Sequence, residues 1–333
     1  MPASVKDVAA LAGVSASTVS NYLNHPHLLG QASRERVRQA IETLGFVPNE
    51  SARQLRAGTG KLLAVSLIDA WQPFFAELSR GVEDALRDTP YALVFSNSNR
   101  DEQRERDNLD MFEAHRVQGL IIYPQGEVTE RLERLAARGI KSVVVGPTLA
   151  SGRFASAPFD DRGGGRLAGE HLIGRGRTRI AFLGDPDAVV QSAERLAGLR
   201  DAAAAAGRDV RVDTLPIAEL NVEAGAEAAA RLLALGPRDR PDALFAANDM
   251  VAIGALTSLL RHGVDVPGEI AVVGFDDITL ARQTVVPLTT VRQPGYEIGR
   301  AGASLLLTQL RDPDAPPPRL TPFAAELVVR DSS

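Results

Sequence analysis

"VKDVAALAGVSASTVSNYLN", residues 5–24, decides how the N-terminal end folds. Ser4, followed three residues later by Asp7, is a capping-box start, and Val5, Val8, Ala9 and Ala12 then recur on one helical face. Gly13 ends that helix because a left-handed backbone suits glycine. Ser15 caps a second helix whose Val19, Tyr22 and Leu23 face inward, which gives helix, glycine turn, helix. Ser33 is expected to cap a third helix, with Val37, Ile41 and Leu44 as its apolar stripe and Gly45 as its stop.

In helix-turn-helix geometry the second helix enters the major groove, so its outer face meets bases or phosphates. Ala16, Ser17, Thr18, Ser20 and Asn21 occupy that face. Small side chains let a helix approach closely; Asn21 can pair with an adenine edge, Ser17 with several bases, and the Ala16 methyl can touch a thymine methyl. An ordinary polar helix face has the same composition, so the pattern needs support. "VPNESARQLRAG", residues 47–58, supplies it. Pro48 and a possible Asn49 cap open about two helical turns, too few to be stable alone in water, so the segment is expected to order on a partner. Leu55 lies between Arg53 and Arg56, which suits an apolar wedge in the minor groove with phosphate contacts beside it.

Composition agrees with this reading. The chain has 333 residues, enough for two or three domains, and 44% are hydrophobic. It has no cysteine, which excludes disulfides, thiol catalysis and cysteine–zinc sites. No run of 18 apolar residues exists and the N-terminus has no apolar leader stretch, so a cytoplasmic protein without a membrane span is expected. The net charge is −5, but residues 1–60 carry an excess of two positive charges and the remainder is acidic. One DNA-contacting end on an acidic body fits that asymmetry.

After Leu62 the pattern becomes short apolar runs alternating with helical stretches: "LLAVSLI", "YALVFS", "GLIIY", "SVVVG", "IAFLG", "ALFAA" and "IAVVG". Such alternation predicts parallel sheets covered on both faces by helices. Ligands in open α/β sheets bind beyond the carboxyl ends of strands. Asp69, Trp71, Gln72, Phe74 and Phe75 follow the first run, Asn248 and Asp249 follow "ALFAA", and Asp276 and Asp277 follow "IAVVGF". A carboxylate after a strand is often a helix cap, the reading favoured for Asp249 and Asp277. Arginine and carboxylate together can grip vicinal hydroxyls through charge-assisted hydrogen bonds, which favours Arg195 and Asp276 as ligand residues.

Enzyme readings find little. "GGG", residues 163–165, has neither the glycine spacing of a dinucleotide fingerprint nor the Lys-Ser/Thr of a P-loop. His25, His27, His115, His171 and His262 show no metal-ligand spacing; His25 and His27 suit a surface or phosphate-contact role. No cofactor is expected.

The segments "VKDVAALAGVSASTVSNYLN", "RERVRQAIETLGFVPNESARQLR", "AANDMVAIGAL", "IAVVGFDD" and "PLTTVRQP" together resemble the lactose-repressor (LacI/GalR-type) family of bacterial transcription regulators, over essentially the whole chain. The resemblance implies an all-α helix-turn-helix head (1–46), a hinge helix or linker (47–61), and an α/β effector-binding and dimerisation body (62–333). That body would be a two-lobed, type I periplasmic-binding-protein-like sensor. Lobe one is placed at 62–160 plus 291–320, and lobe two at 161–290 plus 321–333. The implied partners are pseudo-palindromic double-stranded operator DNA, a small-molecule effector and a second copy of the chain. A dimer is expected rather than a tetramer, since "ELVVRDSS" is followed by no leucine heptad.

By this resemblance Ala16, Ser17 and Asn21 read bases and Leu55 is the wedge, with Ser15, Thr18, Ser20, Asn49, Ala52, Arg53 and Arg56 completing the DNA contacts. Many members carry Arg where this chain has Asn21. The implied effector set is Trp71, Phe74, Phe75, Asp160, Ser192, Arg195, Leu220, Asn248 and Asp276. Of Phe74 and Phe75, one is expected inward and one toward the cleft. Where relatives place an aromatic ring this chain has Leu220, for which Trp71 could compensate, and where many have Asp-Arg it has Gly146-Pro147. A saccharide or related polyol is the first expectation for the effector, a purine or other planar metabolite the second. The competing class is a small-molecule-binding protein or sugar-acting enzyme of the same body fold without operator binding.

Overall fold

The computed structural model describes residues 3–46, 61–147, 152–217, 219–236 and 239–333. It divides into two compact units, residues 1–60 and 61–333.

The first unit contains α1 (Val5–Ala12), α2 (Ala16–Asn24) and α3 (Gln31–Leu44). Ser4 and Asp7 form the reciprocal capping box, and Gly13 takes φ +61° to close α1. Val8, Ala9, Ala12, Val19, Val37, Ala40 and Phe46 make its small core. Two expectations change here. The third helix starts after Gly30 rather than Ser33, so Ser33 lies within the first turn. Leu44 is 36% exposed, and its place in the core goes to Ala40 and Phe46.

The second unit begins with β1 (Leu62–Leu67), α4 (Pro73–Leu86), β2 (Ala92–Asn97), α5 (Glu102–Ala114), β3 (Gly119–Ile122), α6 (Thr129–Ala137), β4 (Lys141–Gly146) and β5 (Ala155–Pro158). These strands form one parallel sheet, order β2-β1-β3-β4-β5. The chain continues through α7 (Asp161–Gly174), β6 (Arg179–Leu183), α8 (Val190–Ala205), β7 (Arg211–Leu215), α9 (Val222–Leu233), β8 (Ala243–Ala246), α10 (Asp249–Arg261) and β9 (Ala271–Asp276). It then adds β10 (Thr289–Arg292), α11 (Gly295–Arg311) and β11 (Glu326–Val328). The second sheet has the order β11-β10-β9-β8-β6-β7, parallel except for β11. β1, β3, β4 and β8 are almost wholly buried, as expected of strands covered on both faces.

The expected lobe limits shift with the strand pairing. Val291 and Arg292 pair with Phe275 and Asp276 of β9, so the second sheet keeps them and the crossover falls at Gln293-Pro294, not before Val291. α11 then packs on α4 and on the first sheet. Residues Arg319 and Phe323 bridge Ser156 and Phe159, so the return crossing comes after Phe323 rather than at 320/321.

Close helix packing explains the "GGG" run. A Cβ on Gly165 would sit 2.0 Å from the Arg195 carbonyl, and one on Gly198 would sit 2.0 Å from that of Arg162. Glycine at both positions lets α7 and α8 touch backbone to backbone, which brings Arg195 against α7.

Candidate functional site

On the first unit, Ser15 caps α2 by accepting from the Thr18 N–H, and its hydroxyl also meets those of Ser17 (2.7 Å) and Thr18 (2.8 Å). Ser15, Ala16, Ser17 and Asn21 are exposed, and Thr18 and Ser20 are half-buried. Val19 is fully buried beneath them. The helix thus presents short, hydrogen-bonding side chains outward on a frame fixed from below, a surface suited to close approach in a groove. Asn49, Ala52, Arg53, Leu55 and Arg56 lie outside the described residues.

In the second unit a cleft opens where the carboxyl ends of both sheets meet. It is lined by Ile68, Asp69, Gln72, Phe74, Phe75, Arg100, Tyr123, Val189, Gln191, Arg195, Leu220, Asn248, Asp276 and Gln293. Arg195 is its best-anchored group. Its Nε and NH2 both lie 2.8 Å from Asp161 Oδ1, NH1 donates to the Ala247 carbonyl at 2.5 Å, and NH2 also donates to Gln293 Oε1 at 3.2 Å. The guanidinium lies 3.6 Å from the centre of the Phe275 ring. Both Arg195 and Asp161 are buried, 6% and 5% exposed, so each depends on the other to justify its charge.

Asp276 ends β9 at φ +112°, and Asp277 follows at +56°, both in backbone regions that non-glycine residues rarely occupy. Such conformations cost about 1–3 kcal/mol each and persist where surrounding structure holds them. Here the strain aims the Asp276 carboxylate back into the cleft while Asp277 turns away to Arg292 and Arg330. Burial, reinforced by the nearby Asp161 charge and opposed by Arg195, leaves the Asp276 carboxyl pushed up to about 7. Burial likewise raises Asp161 and Asp249. Asp249 is not a cap: fully buried, it accepts from the Thr290 hydroxyl at 2.5 Å and the Ile278 N–H at 2.8 Å, tying α10 to the strand ends.

A hydrogen-bonded clasp crosses the cleft. Gln72 Nε2 donates to the Leu220 carbonyl at 2.7 Å, and Asn248 Nδ2 donates to both Gln72 Oε1 and that carbonyl at 3.2 Å. Asn248 simultaneously caps α10 through Oδ1. The cavity left behind is about 60 Å³, room for about two waters. A sugar ring therefore enters only as the clasp parts. Gln191, 4% exposed, has neither amide atom hydrogen-bonded, and each such buried group costs about 1–3 kcal/mol until a partner arrives.

Several expected ligand residues are placed elsewhere. Trp71 is 84% exposed and outside the lining, because it stands in the turn before α4 while the following residues point inward. The aromatic wall consists instead of Phe74, Phe75 and Tyr123, in mutual edge contact at 4.9–5.9 Å. Both phenylalanines line the cleft, not one. Asp160 is exposed and caps α7 through the Gly163 N–H; the buried neighbour Asp161 takes the inward position. Ser192 is buried but outside the lining, one residue round the helix from Gln191. Leu220 serves the clasp with its carbonyl. Gly146, at φ +88°, makes room for Tyr123: a Cβ there would lie 2.2 Å from the ring. Arg100, Tyr123, Gln191 and Gln293 escape a reading of strand ends in sequence. Tyr123 closes the quoted run "GLIIY" and Gln293 the "TTVRQP" motif, which are the available signals.

The bacterial regulatory protein lacI family matches residues 4–49, and the periplasmic binding protein-like domain matches residues 170–333. The HTH-type transcriptional repressor PurR of Photobacterium profundum is 31% identical across 99% of this chain and 98% of its own length. This chain belongs to the lacI family. It is a helix-turn-helix transcriptional regulator with a ligand-binding body, and the two-lobed α/β fold agrees with solved members of the family. The structure of the lac repressor dimer bound to operator and the anti-inducer ONPF superposes with a TM-score of 0.85 at 25% identity, covering 100% of this chain and 99% of that one. That of a transcriptional regulator CelR–cellobiose complex superposes at 0.73 with 31% identity, covering 99% and 100%. Among the described residues, no helix is long and apolar enough to cross a membrane.

Proposed function

We propose that the protein is a homodimeric repressor of pseudo-palindromic operator DNA, acting in the cytoplasm, whose operator affinity is set by a sugar or related polyol bound in the cleft, and that it is not an enzyme. The exposed face of Ser17 and Asn21 on the second helix of a helix-turn-helix unit is the observation that carries operator reading. Two such faces address two half-sites, which requires a two-fold pair of chains. Leu55 of each hinge is the wedge between base steps, with Ala52, Arg53 and Arg56 beside it. A ligand that parts the Gln72–Leu220–Asn248 clasp alters lobe closure and thereby the two hinges.

A gel-shift assay of the full chain on operators selected from random duplexes tests this. Selection of one two-fold sequence, bound as a dimer and with affinity changed by a member of a sugar panel, is the expected result. Binding that is indifferent to sequence, or unchanged by every small molecule, overturns it.

A further inference from the structure

The charges around the cleft do not cancel. Arg195 is committed to Asp161, with two nitrogens at 2.8 Å, and to two carbonyl-type oxygens. Arg100 has Asp69 at 3.7 Å. Each guanidinium of the lining thus has its own carboxylate, and Asp276 is left over. Among the described residues no donor hydrogen-bonds the Asp276 carboxylate, and the cation within reach is the already paired Arg195 NH1, at 4.0 Å. The other groups bearing on Asp276 do not relieve it. Asp161 on α7 and Asp249 on α10 are acidic, and Tyr123 after β3 is held protonated by burial.

Two neighbours point to what is missing. Gln191, only 4% exposed, lines the same cavity and has both its amide nitrogen and oxygen without partners. Phe74, Phe75 and Tyr123 form a continuous aromatic wall. A hydroxyl gives Asp276 a hydrogen bond but leaves its charge uncompensated in a buried site. An ammonium supplies both, with three donors, and is attracted by aromatic faces. Its remaining N–H groups suit the Gln191 oxygen, while the Gln191 nitrogen can donate to a hydroxyl.

We propose that the effector carries a protonated amine beside its hydroxyls, as an amino sugar or amino polyol, with the ammonium held by Asp276 and Gln191. This rests on the cleft being the effector site.

The test compares pairs that differ only in amine against hydroxyl: serinol against glycerol, glucosamine against glucose, and galactosamine against galactose. Each is titrated calorimetrically into the full-length protein at about pH 7, where the amines are largely protonated and Asp276, pushed up to about 7, is about half ionised. The amine member should bind about tenfold tighter or better, a difference that Asp276→Asn removes and Asp276→Glu keeps in sign. Equal or tighter binding of the neutral members overturns the amine and leaves an effector cleft in place. Silence from every probe overturns the amine and counts against the cleft itself. An amine preference that survives Asp276→Asn overturns the assignment to this carboxylate.

Discussion

Ser15, Ala16, Ser17 and Asn21 stand in water on one short helix, whereas Asp161, Gln191 and Arg195 are almost sealed from it and come from two packed helices separated in sequence by a strand. The outer face of α2 is neutral, and the Ser15, Ser17 and Thr18 hydroxyls are bonded to one another within four residues. The cleft is charged, strained at Asp276 and incompletely satisfied at Gln191. An exposed reading surface can exchange side chains at little cost to folding, because water replaces any lost partner. A buried pair such as Arg195 and Asp161 cannot, because removing one partner leaves the other charged where water does not reach it. Substitutions in the two regions should therefore separate binding from stability in opposite ways.

Arg195→Ala should have the largest effect. It leaves Asp161 buried without its cation, and loss of one partner of a buried pair costs about 3–5 kcal/mol, measurable by urea denaturation of the body. A loss below about 1 kcal/mol would erase the contrast between cleft and helix. Asp276→Asn should act next, and in the opposite direction. The Asp276 pKa in the folded protein, about 7, lies above the usual carboxylate value near 4. Stability is thus fully present below about pH 4 and is lost as pH rises through about 7. The variant should be the more stable protein above pH 7 by roughly 2–4 kcal/mol, with the gap closing toward pH 4; thermal melts across that range decide it. Parallel curves for the two proteins would mean that Asp276 does not titrate there.

On the exposed side, Asn21→Arg should leave the melting temperature of the protein almost unchanged while shifting which operator is preferred, by about 1–3 kcal/mol at the base pair it reads. Competition between variant operators measures this, and a uniform loss on all of them removes Asn21 from the reading set. The smallest effect belongs to Ser15→Ala, which deletes the α2 cap at a cost of about 1 kcal/mol. Amide hydrogen exchange over residues 16–24 should quicken with the body unaffected.

The regions also differ in how much of them is legible in the sequence. Every device of the α1–α2 turn is local: the Ser4/Asp7 box, the positive φ of Gly13 and the Ser15 cap each act within a few residues, so reading along the chain finds them. The start of α3 escapes that reading because Gly30 serves as its cap without any side chain to announce it. Buried strands are legible as apolar runs. The short β5, β7 and β11 are less so, since each lies at a sheet edge, and internal β10 is masked by its buried Thr289 and Thr290, which break the apolar run. In the cleft, the rule that ligands lie beyond strand ends locates Asp276, Asn248, Phe74 and Phe75. It misplaces Trp71, beside which Gln72 and Phe74 line the cleft, while Asp160, implied by the family resemblance, is exposed and its neighbour Asp161 is the buried one.

Sequence by itself determined the helix-turn-helix head, the alternating α/β body, the family, and the choice of Arg195 and Asp276 as charges that the structure brings into one cleft. These follow from capping chemistry, hydrophobic period and residue type, all of which act locally. Tertiary structure alone decided that Asp161 rather than Asp276 neutralises Arg195, that Gln72 bridges the lobes, and that Gln191 waits without a partner. Those facts depend on which groups meet across 34 residues in one case, side chain to side chain, and 148 in another, side chain to carbonyl. Burial then determines what each meeting is worth, since a charge or an amide that water would satisfy on the surface must find its counterpart inside the protein.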